Sequence, residues 1–180
     1  MDALFIAGGE SLVLHSRQRS IIRQLGVYLA PMPWLLRLGP TKGEVVHALC
    51  EGLLSSSNRN VQVLIELPVG ITREMLEPSF LQLGPTIVPS TKDRDHRNTN
   101  QIEESKVVLV LPGESKTYAE ALKATDKDKP TVVFDIGGRA VDLIREETAA
   151  QGKVTYVRSA QEGFDFVRAH LHLTELAAGA

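Results

Sequence analysis

The run Val107–Leu111 constrains the fold of this chain more than any other stretch, because five consecutive apolar residues lead directly into Pro112-Gly113. An uninterrupted apolar run is typical of a strand buried on both faces, as in the centre of a parallel sheet. Proline and glycine then end the strand, and the residues that follow favour a helix. Ser115 or Thr117 is predicted to cap this helix, whose positive dipole end favours an anion such as phosphate.

The same order of strand, turn and helix recurs along the chain. Further strands are predicted at 3–7, 33–38, 61–67, 131–134 and 154–157, and helices at 16–29, 41–53, 140–150 and 160–173. Residues 72–95 lack a clear period, apart from a short strand at 86–88. Alternating strands and helices predict an α/β fold of the Rossmann-like type, a doubly wound parallel sheet flanked by helices. We expect residues 1–180 to form a single domain.

Composition narrows the classes of function. The 180 residues are 43% hydrophobic and 23% charged, which is typical of one soluble globular domain. A net charge of −2 provides no general field for nucleic acid or membrane, so neither is predicted as a partner. The single cysteine cannot form an internal disulfide, and a cytoplasmic location is expected. No metal-ligand spacing and no complete cofactor motif occurs, so neither a metal nor a cofactor is predicted.

Glycine-rich turns follow the first two predicted strands. Gly8 and Gly9 end the first strand and are interpreted either as a close approach to a ligand or as a plain turn. The second strand leads into a turn whose candidate ligand-binding residues are Gly39, Thr41, Lys42 and Gly43. Thr41 is predicted to cap the next helix, which places Lys42 in its first turn. A cation there is unfavourable to the helix dipole unless an anion is bound, although a solvated lysine explains it equally well.

A polar turn is predicted at 93–100, just before the central strand. Arg97 or Arg94 in this turn is suited to a bidentate contact with phosphate or carboxylate, and Asn98 is a further candidate ligand-binding residue. The alternative is an exposed turn held by salt bridges.

These features resemble a known superfamily over nearly the whole chain. The pattern Pro-Gly-x-x-x-Thr-x-x-Glu after an apolar strand is similar to that of the Lonely Guy phosphoribohydrolases, long labelled lysine decarboxylase-like, and of the molybdenum cofactor carrier proteins. Pro112, Gly113, Thr117 and Glu120 match it. Three departures distinguish this chain. Glu114 and Lys116 stand where the family has glycines, and Ala119 replaces the first glutamate of the hydrolase pair, a spacing closer to the carriers.

The resemblance implies roles for these residues. In the hydrolase interpretation a nucleoside monophosphate would place its phosphate on Thr117 and the surrounding N–H groups, with Lys116 supplying a direct charge. Arg97 would orient the ligand, and Glu120 would stabilise charge on the ribose or activate water as the N-glycosidic bond breaks. Thr117 and Glu120 also have the spacing of a capping box, in which both merely satisfy the start of the helix.

Three functions follow from these alternatives. The first is binding of a phosphorylated nucleotide-like or pterin-like ligand by a noncatalytic carrier. The second is hydrolysis of nucleoside 5′-monophosphates by an N-glycosidase, with Glu120 and Arg97 as catalytic residues. The third is a structural or interaction subunit whose site has decayed. The resemblance also implies a homo-oligomer, for which the apolar residues Leu76, Phe80, Leu81 and Leu83 are candidate contacts.

Overall fold

One parallel sheet forms the centre of the protein. The computed structural model describes residues 1–9, 13–39, 42–147 and 150–171. Within them lie seven strands in the order β4-β3-β2-β1-β5-β6-β7, and every neighbouring pair is parallel. They are β1 (Ala3–Ala7), β2 (Leu35–Leu38), β3 (Gln62–Leu67), β4 (Thr86–Pro89), β5 (Val107–Val110), β6 (Thr131–Phe134) and β7 (Val154–Val157). The predicted Rossmann-like fold is confirmed.

Helices cover both faces of the sheet. They are α1 (Ser16–Leu29), α2 (Glu44–Ser55), α3 (Pro78–Gln82), α4 (Arg94–Glu103), α5 (Ser115–Asp126), α6 (Arg139–Glu146) and α7 (Ala160–His170). A short 3₁₀ turn, Arg73–Met75, precedes α3. Helices α1, α2 and α7 pack together on one face, and α4, α5 and α6 pack on the other. No helix in the described ranges has the length and apolar content to cross a membrane.

The central strands are buried on both sides, as predicted. All five residues of β1 and all four of β5 are buried. Side chains alternate along β1, so that Leu4 and Ile6 face the α1–α2–α7 layer, while Phe5 and Ala7 face the layer of α4, α5 and α6. Two apolar clusters therefore form, one on each face.

Helices α1 and α2 approach each other so closely that their backbones touch. A methyl group added at Gly52 would lie 2.0 Å from the carbonyl oxygen of Arg23, and one added at Gly26 would lie 2.4 Å from that of Leu49. Next to this contact Cys50 is fully buried, and burial raises the pKa of its thiol to about 12. The layer is thus a close-packed apolar interface.

Helix α4 is built differently. Its buried residues are Arg97, Asn98, Gln101 and Ile102, so three of the four are polar. Both amide atoms of Gln101 are buried and have no hydrogen-bond partner among the described residues, and the same holds for the Nε of Arg37 on β2. The polar turn predicted at 93–100 is therefore wrong: the segment is helical, and Asp93 caps it by accepting the His96 N–H at 2.9 Å.

Several predicted boundaries shift. Helix α5, for which no end was predicted, runs to Asp126. The short strand predicted at 86–88 is present as β4. The residues before it, for which no regular structure was predicted, contain the 3₁₀ turn and α3. Helix α6 ends at Glu146, before the predicted end at Ala150. The predicted end of the last helix at Leu173 falls outside the described residues.

Three of the four residues predicted as an oligomer contact are buried within the chain itself. Leu76, Phe80 and Leu83 are buried in the chain's own core, where α3 packs against α2. Only Leu81 of the four proposed residues is exposed. The three buried residues belong to the apolar core, because the segment that contains them forms a 3₁₀ turn and a helix that bury them.

Candidate functional site

The strand order places a crevice above the carboxyl ends of β1 and β5. These two strands are neighbours, and the chain proceeds outward from them in opposite directions across the sheet. In open α/β sheets such a switch point is where ligands bind. A pocket opens here, lined by Phe5, Ile6, Gly8, Leu38, Gly39, Val45, Val46, Leu49, Arg97, Asn98, Leu111, Lys116 and Glu120.

The pocket has two chemically different walls. One is apolar and comes from the ends of β1 and β2 and the first turns of α2, where Leu38, Val45 and Val46 lie. The other is polar and consists of Arg97 and Asn98 on α4 with Lys116 and Glu120 on α5. Such a pairing suits a ligand with an apolar, planar part and a polar or charged part.

The enclosed part of the pocket is narrow. Its volume is about 30 Å³, which is room for roughly two water molecules. A larger ligand must therefore project from the mouth or displace side chains on entry.

A chain of hydrogen bonds organises the polar wall. Arg97, only 1% exposed, donates from Nη1 to the carbonyl oxygen of Glu66 at 2.8 Å and from Nε to Asn98 Oδ1 at 3.0 Å. The amide nitrogen of Asn98 donates to Glu120 Oε1. Asn98 thus joins the guanidinium to the carboxylate, so the structure brings the two predicted catalytic residues together through a third.

Sequence reasoning named Asn98 only as a ligand contact and did not foresee this bridge. The signal was its position beside Arg97, which gives helix α4 two adjacent inward-facing polar side chains. The apolar wall was also missed, because Val45, Val46 and Leu49 on a helix have the pattern of ordinary core residues.

The corner between β5 and α5 is tightly packed. A methyl group on Gly113 would lie 2.1 Å from Thr117 Oγ1, so Gly113 is required for the threonine to fold over the turn. Pro112 O accepts the Gly9 N–H at 3.0 Å, and Gly113 O accepts the Ala140 N–H at 2.9 Å. Gly9 and Gly113 therefore use these groups to tie neighbouring loops together.

The predicted caps of α5 are wrong. The helix begins at Ser115, which is exposed, and its N-cap is Glu114, whose side chain makes no capping hydrogen bond. Thr117 and Glu120 are the third and sixth residues of the helix, so they cannot form a capping box. Thr117 is 1% exposed and packs on Gly113, while Glu120 faces the pocket. The competing structural explanation of the threonine and glutamate pair is thereby removed.

The second glycine turn differs from the prediction in where the following helix begins. Gly39 lines the pocket, and Gly8 packs so that an added methyl group would lie 3.1 Å from Val45 Cγ1. Lys42 is exposed and precedes the helix, because Gly43 is the N-cap and α2 begins at Glu44. Its predicted place in the first turn is therefore wrong.

Thr41 lies outside the described residues. Glu44, the first residue of α2, accepts the backbone N–H of Leu14 through Oε2 at 2.7 Å, which ties the start of α2 to the segment before α1. Within the described ranges no group of three or more His, Cys, Asp or Glu residues is arranged to hold a metal ion.

A protein-family model matches most of the chain. The model of the SLOG cluster4 family matches residues 6–164. A comparison with curated proteins finds no match.

Solved structures share the fold over nearly the whole chain. The structural genomics target TM1055 is 21% identical, with a TM-score of 0.75, and the match covers 94% of this chain and 99% of that one. The molybdenum cofactor carrier protein of Chlamydomonas reinhardtii is 18% identical, with a TM-score of 0.68 and coverages of 94% and 98%. The single-stranded-DNA-binding DNA processing protein A of Helicobacter pylori is 14% identical, with a TM-score of 0.69 and coverages of 95% and 82%. At these identities the likeness concerns the fold.

Proposed function

The chain belongs to the SLOG cluster4 family, and from this premise we propose that it binds a small phosphorylated ligand with a planar, nucleotide-like or pterin-like ring, as a carrier. The observation that carries the proposal is the two-walled pocket at the switch point. The predicted single domain over residues 1–180, the homo-oligomer and the cytoplasmic location belong to the same proposal.

The geometry suggests how each part of the ligand is held. The ring packs against Leu38, Val45 and Val46, where burial of apolar surface favours binding. The phosphate lies at the start of α5, near Lys116, where the positive end of the helix dipole and a lysine charge both favour an anion. Glu114 at the N-cap sets a limit, because its carboxylate repels an anion that approaches the turn from its side.

One feature of the sequence supports a carrier over a catalyst. Ala119 occupies the place where the resembling hydrolases have the first of two glutamates. A molybdenum cofactor carrier and a molybdenum cofactor binding protein are among the structures that share the fold, the latter from Rippkaea orientalis at 18% identity, with a TM-score of 0.69 and coverages of 93% and 96%.

A second candidate, hydrolysis of nucleoside 5′-monophosphates, is favoured by one observation. The carboxylate of Glu120 faces the pocket and is coupled through Asn98 to the Arg97 guanidinium. A carboxylate fixed in this way can stabilise the positive charge that develops on a ribose when its bond to the base breaks.

Calorimetric titration with adenosine 5′-monophosphate and with a phosphorylated pterin tests the binding proposal. We expect at least one of them to bind, and Lys116→Gln to weaken binding about 10-fold, since a charge-assisted hydrogen bond to phosphate is lost. Lys123→Gln, on the same helix but outside the pocket, is the matched control and should leave the affinity unchanged. Absence of binding by both probes, or equal weakening in both variants, contradicts the proposal.

Incubation with the four common nucleoside monophosphates separates carrier from enzyme. The carrier proposal expects no free base by chromatography. Release of base that disappears in Glu120→Gln, with an unchanged melting temperature, would instead support the hydrolase.

A further inference from the structure

A second cleft opens at the same edge of the sheet, above β6 and β7. It has a volume of about 380 Å³ and shares no lining residue with the pocket at β1 and β5. Its walls are His15 and Arg17 from the start of α1, Asp135 and Ile136 after β6, Arg145 on α6, and Arg158 after β7.

The cleft carries a net positive charge, whereas the net charge of the whole chain is negative. Among its lining residues three arginines oppose one aspartate, a net charge of +2, whereas the whole chain carries −2. Arg145 Nη2 lies 2.5 Å and Arg158 Nε lies 2.9 Å from the same Oδ2 atom of Asp135. One carboxylate therefore orients two guanidinium groups but balances only one of them. Glu162 accepts the Arg158 backbone N–H as part of the cap of α7.

Asp135 is built to stay ionised. Its side chain is only 11% exposed. Burial alone would raise the pKa of its carboxyl, but the hydrogen bonds and charges of Arg158 and Arg145 outweigh burial and hold the pKa below its usual value. Arg145 also lies over the ring of Tyr156, 5.4 Å from its centroid, which fixes the guanidinium further. The two arginines are thus pre-oriented around the cleft.

The start of α1 adds donors of the same kind. Its first turn contains Arg17 and no acidic residue, and Arg17 makes no ion pair with any described residue. A cation at this end of a helix is unfavourable to the dipole unless an anion lies nearby. The His15 Nδ1 accepts the Gln18 N–H at 3.4 Å, so the proton of the neutral ring is on Nε2, where it can be donated.

We propose that this cleft is a second anion site, selective for a diphosphate group. Two pre-oriented guanidinium groups, the Arg17 guanidinium and the His15 ring supply enough donors for the oxygens of two adjacent phosphates. The same chemistry is offered by free pyrophosphate and by the diphosphate of a nucleotide. The site is independent of the pocket between β1 and β5.

Calorimetric titration with pyrophosphate at constant ionic strength is the test. We expect saturable binding with one site per chain. Arg17→Gln should weaken it about 10-fold, and Arg17→Gln with Arg158→Gln should abolish it. Arg17 has no ion-pair partner among the described residues to lose, so its variant should fold normally, as a melting curve would verify. Arg23→Gln removes the same charge from an exposed position of α1 outside the cleft and should bind as the wild type does.

Two further arms identify the source and separate this site from the first. If Arg17→Gln also weakens binding of adenosine diphosphate, the diphosphate of a nucleotide reaches the cleft; if only pyrophosphate is affected, the free anion is the ligand. Arg17 lies outside the pocket at β1 and β5, so Arg17→Gln should leave the binding of adenosine 5′-monophosphate there unchanged, and failure of one proposal is distinguishable from failure of the other. No binding of pyrophosphate, or equal weakening by Arg17→Gln and Arg23→Gln, would overturn the proposal.

Discussion

The two sides of the sheet solve the same packing problem with different chemistry. On one side α1 and α2 meet backbone to backbone through Gly26 and Gly52, and the residues they bury are almost entirely apolar. On the other side α4 turns Arg97, Asn98 and Gln101 inward. The first arrangement removes apolar surface from water, which is the main source of stability. The second buries polar groups, which contributes little stability unless every one of them is paired.

The difference indicates that the layer that contributes most to stability and the polar wall of the candidate site lie on opposite faces of the sheet. Helix α4 crosses from the edge strand β4 back to β5 in the middle of the sheet, so its start reaches the switch point. There it supplies Arg97 and Asn98 to the pocket, and one turn later Gln101 is left buried without a partner among the described residues. An unsatisfied polar group next to a candidate site is the kind of local cost that functional elements carry.

The largest effect on stability is expected in the apolar layer, where α1 and α2 are in contact. Gly52→Ala forces a methyl group against the Arg23 carbonyl, so α1 and α2 must separate. We expect a loss of about 3 kcal/mol in the free energy of unfolding, at the upper end of overpacking effects, measured by urea denaturation. Gln24→Ala, at an exposed position of α1, should change it little. A Gly52→Ala protein as stable as the wild type would show that the helices are not in backbone contact.

An intermediate effect is expected in the polar layer. Asn98→Leu removes the link between Arg97 and Glu120 and leaves two groups without their shared partner. It should cost about 2 kcal/mol of stability and weaken ligand binding about 10-fold, whereas Asn100→Leu on the same helix should do neither. Binding at wild-type affinity in Asn98→Leu would mean that the bridge is not part of the site.

The smallest effect should have the opposite sign. Gln101→Leu replaces a buried amide with no partner in the described part of the chain by an apolar side chain of similar size. We expect a gain of about 1 kcal/mol in the free energy of unfolding. A loss of stability would indicate that water or a ligand group satisfies the amide in solution.

Most of the fold was predictable because its strands have a strong signal. Val107–Leu111 is a continuous apolar run, and Ala3–Ala7 is another, so their burial and parallel pairing followed from composition and order. Helix α4 was not predictable in the same way. Its inward face is polar, so the hydrophobic period that identifies a helix is absent, and only the N-cap Asp93 could have indicated it.

The position of the pocket was predictable, and the contacts within it were less so. The glycine-bearing ends of β1 and β5 pointed to the edge of the sheet at which the pocket opens. The predicted capping roles of Ser115 and Thr117 are wrong because a sequence pattern places the start of a helix only to within one or two residues. In the structure Glu114 occupies the N-cap. The bridge through Asn98 depends on side-chain orientation across two helices, which spacing along the chain does not encode.

The buried thiol of Cys50 gives this protein a built-in reporter. The pKa of the thiol is raised to about 12 and none of its surface is exposed, so alkylating reagents cannot reach the sulfur while α2 remains packed on the sheet. Each molecule therefore becomes labelled only when that layer opens, and the labelling rate counts the opening events of native protein in buffer, without denaturant and without an engineered tag.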